Sequence, residues 1–215
     1  MALCLTAGLL AGCGEPTTGP VTDATQPTSA PAENVDYAAS IKLDMNSATA
    51  KQEVTVKQFI DGDTTHFHVP ASLMPGGVLK GRYLSVNTPE STGKIEEWGK
   101  KASNFTKEKL MSAESIIVES DTATWDADST GSRYLSWVWY RTSETEDYRC
   151  LNVEMLQNGL AIASNSAQNS YGETAVKAIA QAKALKLNVY SGEKDPDFYY
   201  GDAVELTLKE LRTNT

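Results

Sequence analysis

The sequence predicts an α+β domain behind a leader without regular structure, and three features predict it. Short β-branched and aromatic runs bounded by turn residues fill the stretches 52–86 and 115–151. A segment of helical period, 96–111, is inserted between them, and two more, 152–160 and 173–187, follow. Strands with one inserted helix and helices after them form the α+β pattern. The β part is long enough to close on itself as a small barrel. Periodicity alone leaves barrel and sandwich both open.

A chain of 215 residues with 40% hydrophobic content can bury one sizeable core. The formal net charge is -9, and residues 1–12 carry none of it. Such a balance argues against a general nucleic-acid coat protein, which would be basic. It leaves room for an enzyme with a local basic cleft.

The chain divides into four parts. Residues 1–13 are apolar and far too short to span a bilayer as a mature helix, so they match the apolar part and cleavage site of a secretory signal. Leu10-Ala11-Gly12-Cys13 is similar to a bacterial lipobox, which makes Cys13 the expected lipidated N-terminus and membrane anchor. Residues 14–36 contain Pro16, Pro20, Pro27 and Pro31 among Thr, Ser, Ala and Gly, the composition of a disordered tether. Residues 37–192 form the expected domain, and 193–215 an extension of unassigned role. The expected location is the extracellular face of a bacterial cell membrane, lipid-anchored or secreted. With Cys4 lost and Cys13 acylated, Cys150 is the remaining thiol, expected to be a small buried apolar residue rather than a nucleophile.

Within the domain, Tyr37 to Met45 alternates Ile41, Leu43 and Met45 and predicts a first strand. Gln52 to Ile60 predicts a second, Thr64 to Val69 its hairpin partner, and Pro75-Gly76-Gly77 a turn before a strand from Val78 to Val86. Glu96 to Met111 predicts a helix with Trp98, Ala102 and Phe105 on one face. Ser115 to Glu119 and Tyr134 to Tyr140 predict strands around a polar loop, with Asp147 to Leu151 pairing the second. Asn152 is the expected cap of a short helix closed by Gly159. Glu173 to Leu187 predicts a helix carrying a Glu173–Lys177 pair, and Ala203 to Arg212 a final amphipathic piece.

Chemistry-bearing residues gather in three segments. Arg82 opens a run that ends in Asn87-Thr88-Pro89-Glu90, where Pro89 removes Thr88 from the helical region and fixes the direction of the turn. Carboxylate, amide and backbone carbonyl oxygens together suit a hard cation, and an arginine beside such a cation suits an anionic substrate. Asp61-Gly62-Asp63-Thr64 adds two carboxylates in a tight turn, and Asp128-Ser129-Thr130-Gly131-Ser132-Arg133 adds a second arginine.

These segments, together with Gly99 to Thr106, Gly131 to Leu135, Gln157 to Ala161 and Ala182 to Ser191, resemble the staphylococcal nuclease (thermonuclease) family in order and spacing over roughly residues 53–192. The resemblance implies a five-stranded OB-type β-barrel with three helices. It also implies calcium-dependent hydrolysis of DNA and RNA to 3′-phosphate ends. By the same resemblance, Asp63 matches a calcium carboxylate, Thr88 the residue whose carbonyl binds calcium, and Glu90 the carboxylate that orients or deprotonates the attacking water. Arg82 and Arg133 match the two arginines on the phosphate. The partners so implied are a nucleic-acid substrate and, through Cys13, the membrane, with the chain a monomer.

Three positions depart from the family pattern. Asn87 stands where a second calcium-binding aspartate is usual, so the site loses a charge but keeps an oxygen ligand. The loop before Arg133 is one residue longer than the usual Asp-x-Tyr-Gly-Arg. Ser164-Asn165-Ser166 replaces pocket tyrosines, so substrate preference does not transfer. The reading from a different class is a surface lipoprotein that binds nucleic acid or a partner on the same fold with little turnover. His66 and His68 share a strand face and lack further ligands in sequence, so solvent-facing histidines are expected. Lys100, Lys101, Lys107 and Lys109 are expected to be a solvated helix face, and Trp137 and Trp139 core.

Overall fold

A computed structural model of the protein describes residues 34–164 and 168–200. The expected signal with Cys13, most of the tether, Asn165, Ser166 and the piece at 203–212 lie outside the described residues.

The β-strands run β1 Lys51–Asp61, β2 Thr64–His68, β3 Val78–Tyr83, β4 Ser85–Asn87, β5 Ser115–Glu119, β6 Tyr134–Arg141, β7 Arg149–Cys150 and β8 Ile162–Ser164. The sheet order is β3-β2-β1-β5-β6-β7, and a parallel β3–β6 pairing closes the first five strands into a barrel. The remaining neighbours are antiparallel, and β4 pairs only with β8 in a separate ladder. The α+β class is as the sequence pattern predicted, and the five-stranded barrel is as the resemblance implied.

β1 is long enough to serve two partners. Lys51–Val54 pairs with β5, while Thr55–Asp61 pairs with β2 across irregularities at Val56/Gln58 and Phe59/Asp61. Such extra residues bend and twist a strand, and this is how one strand turns the corner of a small barrel. All of β5 and the centre of β6 are buried. Trp137 and Trp139 are fully buried, and the Tyr171 ring meets them edge-on at 5.1 and 5.2 Å. Their polar edges are satisfied: Trp137 Nε1 donates to Asp121 and Trp139 Nε1 to the buried Glu119. Glu119 also accepts from Thr49 and Tyr171 and pairs with Lys51 at 3.4 Å, so its burial is compensated.

The helices are α1 Tyr37–Ser40, α2 Gly99–Met111, α3 Leu151–Gln157 and α4 Gly172–Ala184, followed by a 3-10 turn at Asn188–Tyr190. α2, α3 and α4 are the three expected helices. α1 corrects the expected strand over Tyr37 to Met45. Asp36 accepts from Ala39 N and caps one helical turn, and Ile41 and Leu43 then pack on the core without a sheet partner. Asn152 corrects the expected cap. It lies inside α3, fully buried, where its Oδ1 accepts from Val138 N and its Nδ2 donates to the carbonyls of Leu84 and Ser136. A residue with good capping chemistry is used here to tie the helix to the barrel seam. Gly159, at φ +64, ends α3 as expected. The Glu173–Lys177 pair forms at 3.1 Å. The single strand expected over Val78 to Val86 is two, because Ser85 sits at φ +63 and turns β4 away toward β8.

Candidate nuclease site

The break at Ser85 shapes the site. Arg82 remains in the barrel, opposite Thr64 of β2 and Leu135 of β6, while Asn87 leaves with β4. The two meet again through their side chains, since Arg82 Nη2 donates to Asn87 Oδ1 at 2.9 Å. Arg82 Nη1 ion-pairs with Asp63 Oδ2. Asp63 is buried, and its Oδ2 also accepts from Thr88 N at 2.9 Å while Oδ1 accepts from Thr64 Oγ1 at 3.0 Å. Arg82, Asp63, Asn87 and Thr88 therefore form one hydrogen-bonded unit joining the β1–β2 turn to the β4 terminus.

Asp61, the other carboxylate of the turn, secures the segment after Pro89. Its Oδ1 accepts from Gly62 N, Ser91 N and Ser91 Oγ, at 2.8, 3.2 and 2.6 Å. This places its carboxyl beside Glu90. Sharing a hydrogen bond with Asp61, together with partial burial and the negative charges of Asp61, Asp63 and Glu96, holds the Glu90 carboxyl above the usual carboxylate range. The Glu90 backbone is fixed by Glu96, whose Oε2 accepts from Glu90 N and whose N donates to Glu90 O at 2.8 Å. The first residue of α2 comes flush against it: a Cβ on Gly99 would lie 2.1 Å from Glu90 O. Only glycine allows the helix this approach.

Arg133 arrives from the loop before β6. Its Nε and Nη2 both meet Asp128 Oδ2, at 2.7 and 2.6 Å. Burial works against the charge on Asp128, but hydrogen bonds from Thr130 and Arg133 and the Arg133 charge outweigh it and hold the carboxyl down at about 2. Asp128 N also donates to Arg133 O at 2.8 Å, closing the loop on itself.

Asp61, Asp63, Arg82, Asn87, Glu90 and Arg133 line one cleft of about 520 Å³. Five of the six residues singled out from sequence thus share a cavity. The sixth, Thr88, is buried behind it, with its amide on Asp63 and its Oγ1 unpartnered. Sequence reasoning missed the roles of Asp61, Glu96 and Asp128. The Asp-Gly-Asp turn signalled the first, while nothing local signalled the others. His68 is exposed as expected, but His66 is half-buried at the edge of this cleft rather than fully in solvent. Burial, with Lys80 and Lys57 nearby, holds the His66 imidazole below its usual value. Lys100, Lys101 and Lys107 are exposed as expected, while Lys109 is half-buried and pairs with Glu154 at 3.4 Å. Cys150 is fully buried, which pushes its thiol up to about 12 and makes it unreactive at neutral pH. A second cleft, of about 570 Å³, shares no residue with the first. Its buried carboxylate, Glu154, is already engaged by Tyr140, Arg149 and Lys109.

The extension after residue 192 contributes to the support of the site. Asp195 is buried and accepts from Trp98 N at 3.0 Å, and Asp195 N donates to Glu97 Oε1 at 2.6 Å. Residues 193–200 are therefore fastened to the segment that carries Glu96 and leads into α2.

The donors offered by Asp63, Asn87 and Thr88 are oxygens, as a hard cation requires. Among the described residues, no three His, Cys, Asp or Glu side chains converge on a metal position. An oxygen set of Asp63, Asn87 and the Thr88 carbonyl, completed by water and substrate, fits calcium, provided that Arg82 yields its place on Asp63.

The family model described as staphylococcal nuclease homologue matches residues 80–192, just over half of the chain. The match takes in Arg82, Asn87, Thr88, Glu90 and Arg133, while Asp61 and Asp63 precede it and reach the same cleft through β1 and β2. With a closed five-stranded barrel and these residues around one cavity, the chain belongs to the staphylococcal nuclease homologue family.

Proposed function

We propose that the protein is a calcium-dependent nuclease that hydrolyses phosphodiester bonds of DNA, and of RNA as a second substrate, leaving 3′-phosphate ends. The observation that carries this reading is the convergence of two arginines, a carboxylate of raised basicity and an oxygen donor set on one cleft.

Attack of water on a phosphodiester spreads negative charge over the equatorial oxygens. Guanidinium forks from Arg82 and Arg133 stabilise that charge more than the ground state. Each arginine is held by an acid, Asp63 or Asp128, and exchanges part of that contact for the phosphate. Glu90 accepts the proton of the attacking water. Its raised pKa makes it a better base, and it must be ionised to act. Water adds to phosphorus, the P–O5′ bond breaks, the leaving O5′ takes a proton from solvent, and the products carry a 3′-phosphate and a 5′-hydroxyl. Asp63, Asn87 and the Thr88 carbonyl would hold a calcium ion, which would supply positive charge beside the phosphate and lower the pKa of nearby water. The lipobox-like Leu10-Ala11-Gly12-Cys13 supports an anchored enzyme acting on extracellular nucleic acid.

Hydrolysis of single-stranded DNA in millimolar calcium, repeated with chelator, tests the reading. Calcium-dependent cleavage lost in Glu90→Gln is the expected result. A second reading, a nucleic-acid-binding module without turnover, is favoured by Asn87 and by the pairing of both arginines with acids. Folded protein that binds DNA but leaves it intact at high calcium would establish that reading instead.

A further inference from the structure

We infer that Lys80, with His66 beside it, forms a second phosphate subsite that receives the phosphate next to the scissile one. This rests on the nuclease reading of the same cleft. Lys80 and Arg82 lie two residues apart on β3, so their side chains share a face. Two residues along a strand span about 6.6 Å. That is close to one sugar–phosphate repeat of an extended nucleic-acid strand. A phosphate on Arg82 therefore places its neighbour over Lys80 when the substrate runs along β3.

The cross-strand register adds a second group. His66 is directly opposite Lys80, as Thr64 is opposite Arg82. Lys80 and His66 both line the cleft that contains Arg82 and Arg133. Among the described residues neither has an ion-pair partner, whereas Arg82 and Arg133 each have one. The same lining also carries Asp61, Asp63 and Glu90, which repel a polyanion. In a chain of formal charge -9, the cationic side chains Lys80, Arg82 and Arg133 are the part of this lining that draws in a substrate strand. The flanking position recognises a backbone phosphodiester rather than a base, so it selects for length and not for sequence.

The test compares Lys80→Ala, His66→Ala and the wild type on a single-stranded octanucleotide and on bis(p-nitrophenyl) phosphate, a diester with no second phosphate. Exposed Lys80 can be removed without disturbing the core, and thermal melting checks this. In Lys80→Ala the ratio of kcat/KM on the octanucleotide to that on the small diester is expected to fall about fivefold, through KM. The slope of log Kd against log salt is expected to drop by about 0.7, the value for one phosphate contact on a single strand. His66→Ala gives a smaller fall in the kcat/KM ratio. Lys107→Ala, an exposed helix lysine away from the cleft, controls for net charge and leaves both quantities in place. Binding of a labelled octanucleotide reads the subsite independently of turnover. Unchanged Kd and salt slope in Lys80→Ala would overturn the subsite even if the wild type cleaves. A wild type that binds with the full slope but cleaves neither substrate would overturn the nuclease reading and leave the subsite standing. Wild type that neither binds nor cleaves would overturn both.

Discussion

Replacing Asp128 by Asn tests whether the loop that delivers Arg133 is held by charge. Asp128 Oδ2 takes both Nε and Nη2 of Arg133, and Oδ1 takes the Thr130 amide and hydroxyl. Asparagine keeps the shape and loses the charge. Holding the carboxyl at about 2 instead of 3.8 is worth at most about 2.4 kcal/mol at neutral pH. Arg133 is 35% exposed, and solvent screening brings the figure to about 1 kcal/mol. The folded-state pKa is depressed, so the stabilisation is complete above the unfolded value and is lost as pH falls toward the folded one. The window runs from about pH 4 down to about pH 2, and about half of the difference should persist at pH 3. Urea unfolding of wild type and Asp128→Asn at pH 7 and pH 3 measures both points. A destabilisation of about 1 kcal/mol at pH 7 that halves at pH 3 is the expected outcome. A difference of the same size at both pH values would mean that packing, not the ion pair, holds Arg133, and the reasoning fails.

Three further outcomes follow from the same geometry. Arg82→Lys can keep the ion pair with Asp63 but loses the forked geometry that also reaches Asn87, so kcat on DNA should fall about a hundredfold with little change in melting temperature; parental turnover would remove Arg82 from its assigned role. Asn87→Asp restores a carboxylate to the donor set, and calorimetric titration should show calcium binding about tenfold tighter, whereas no gain would argue against Asn87 as a ligand. Gly99→Ala puts a Cβ where Glu90 O lies, so the Glu90 segment must shift, and kcat should drop about a hundredfold while the barrel still melts cooperatively; a lower melting temperature at unchanged kcat would show that Gly99 secures the fold but not the base.

The features legible in the sequence were those written in neighbouring residues. The strands of β1, β2, β5 and β6, the Gly159 stop and the Asp-Gly-Asp and Thr-Pro turns all rest on local chemistry, and the structure follows them. What the sequence hid was the choice of distant partner. Asn152 has the side chain of a cap, yet the carbonyls of Leu84 and Ser136 and the amide of Val138 claim it across the barrel seam. Ile41 and Leu43 alternate as in a strand, but they join no sheet and pack on the core from a coil. Trp98 lies in a helix-period segment but takes φ +68 and stands outside α2, where its amide is received by Asp195, 97 residues later. The long loop before Arg133 was a local anomaly whose consequence was also not local. Asp128 N bonds Arg133 O, and Gly131 N bonds Asp128 O, so the added residue is taken up between two fixed ends. The arginine therefore reaches the cleft from a loop of altered length because its partner Asp128 moves with it. A substitution at Asp128 should accordingly disturb Arg133 more than any change in the residues between them.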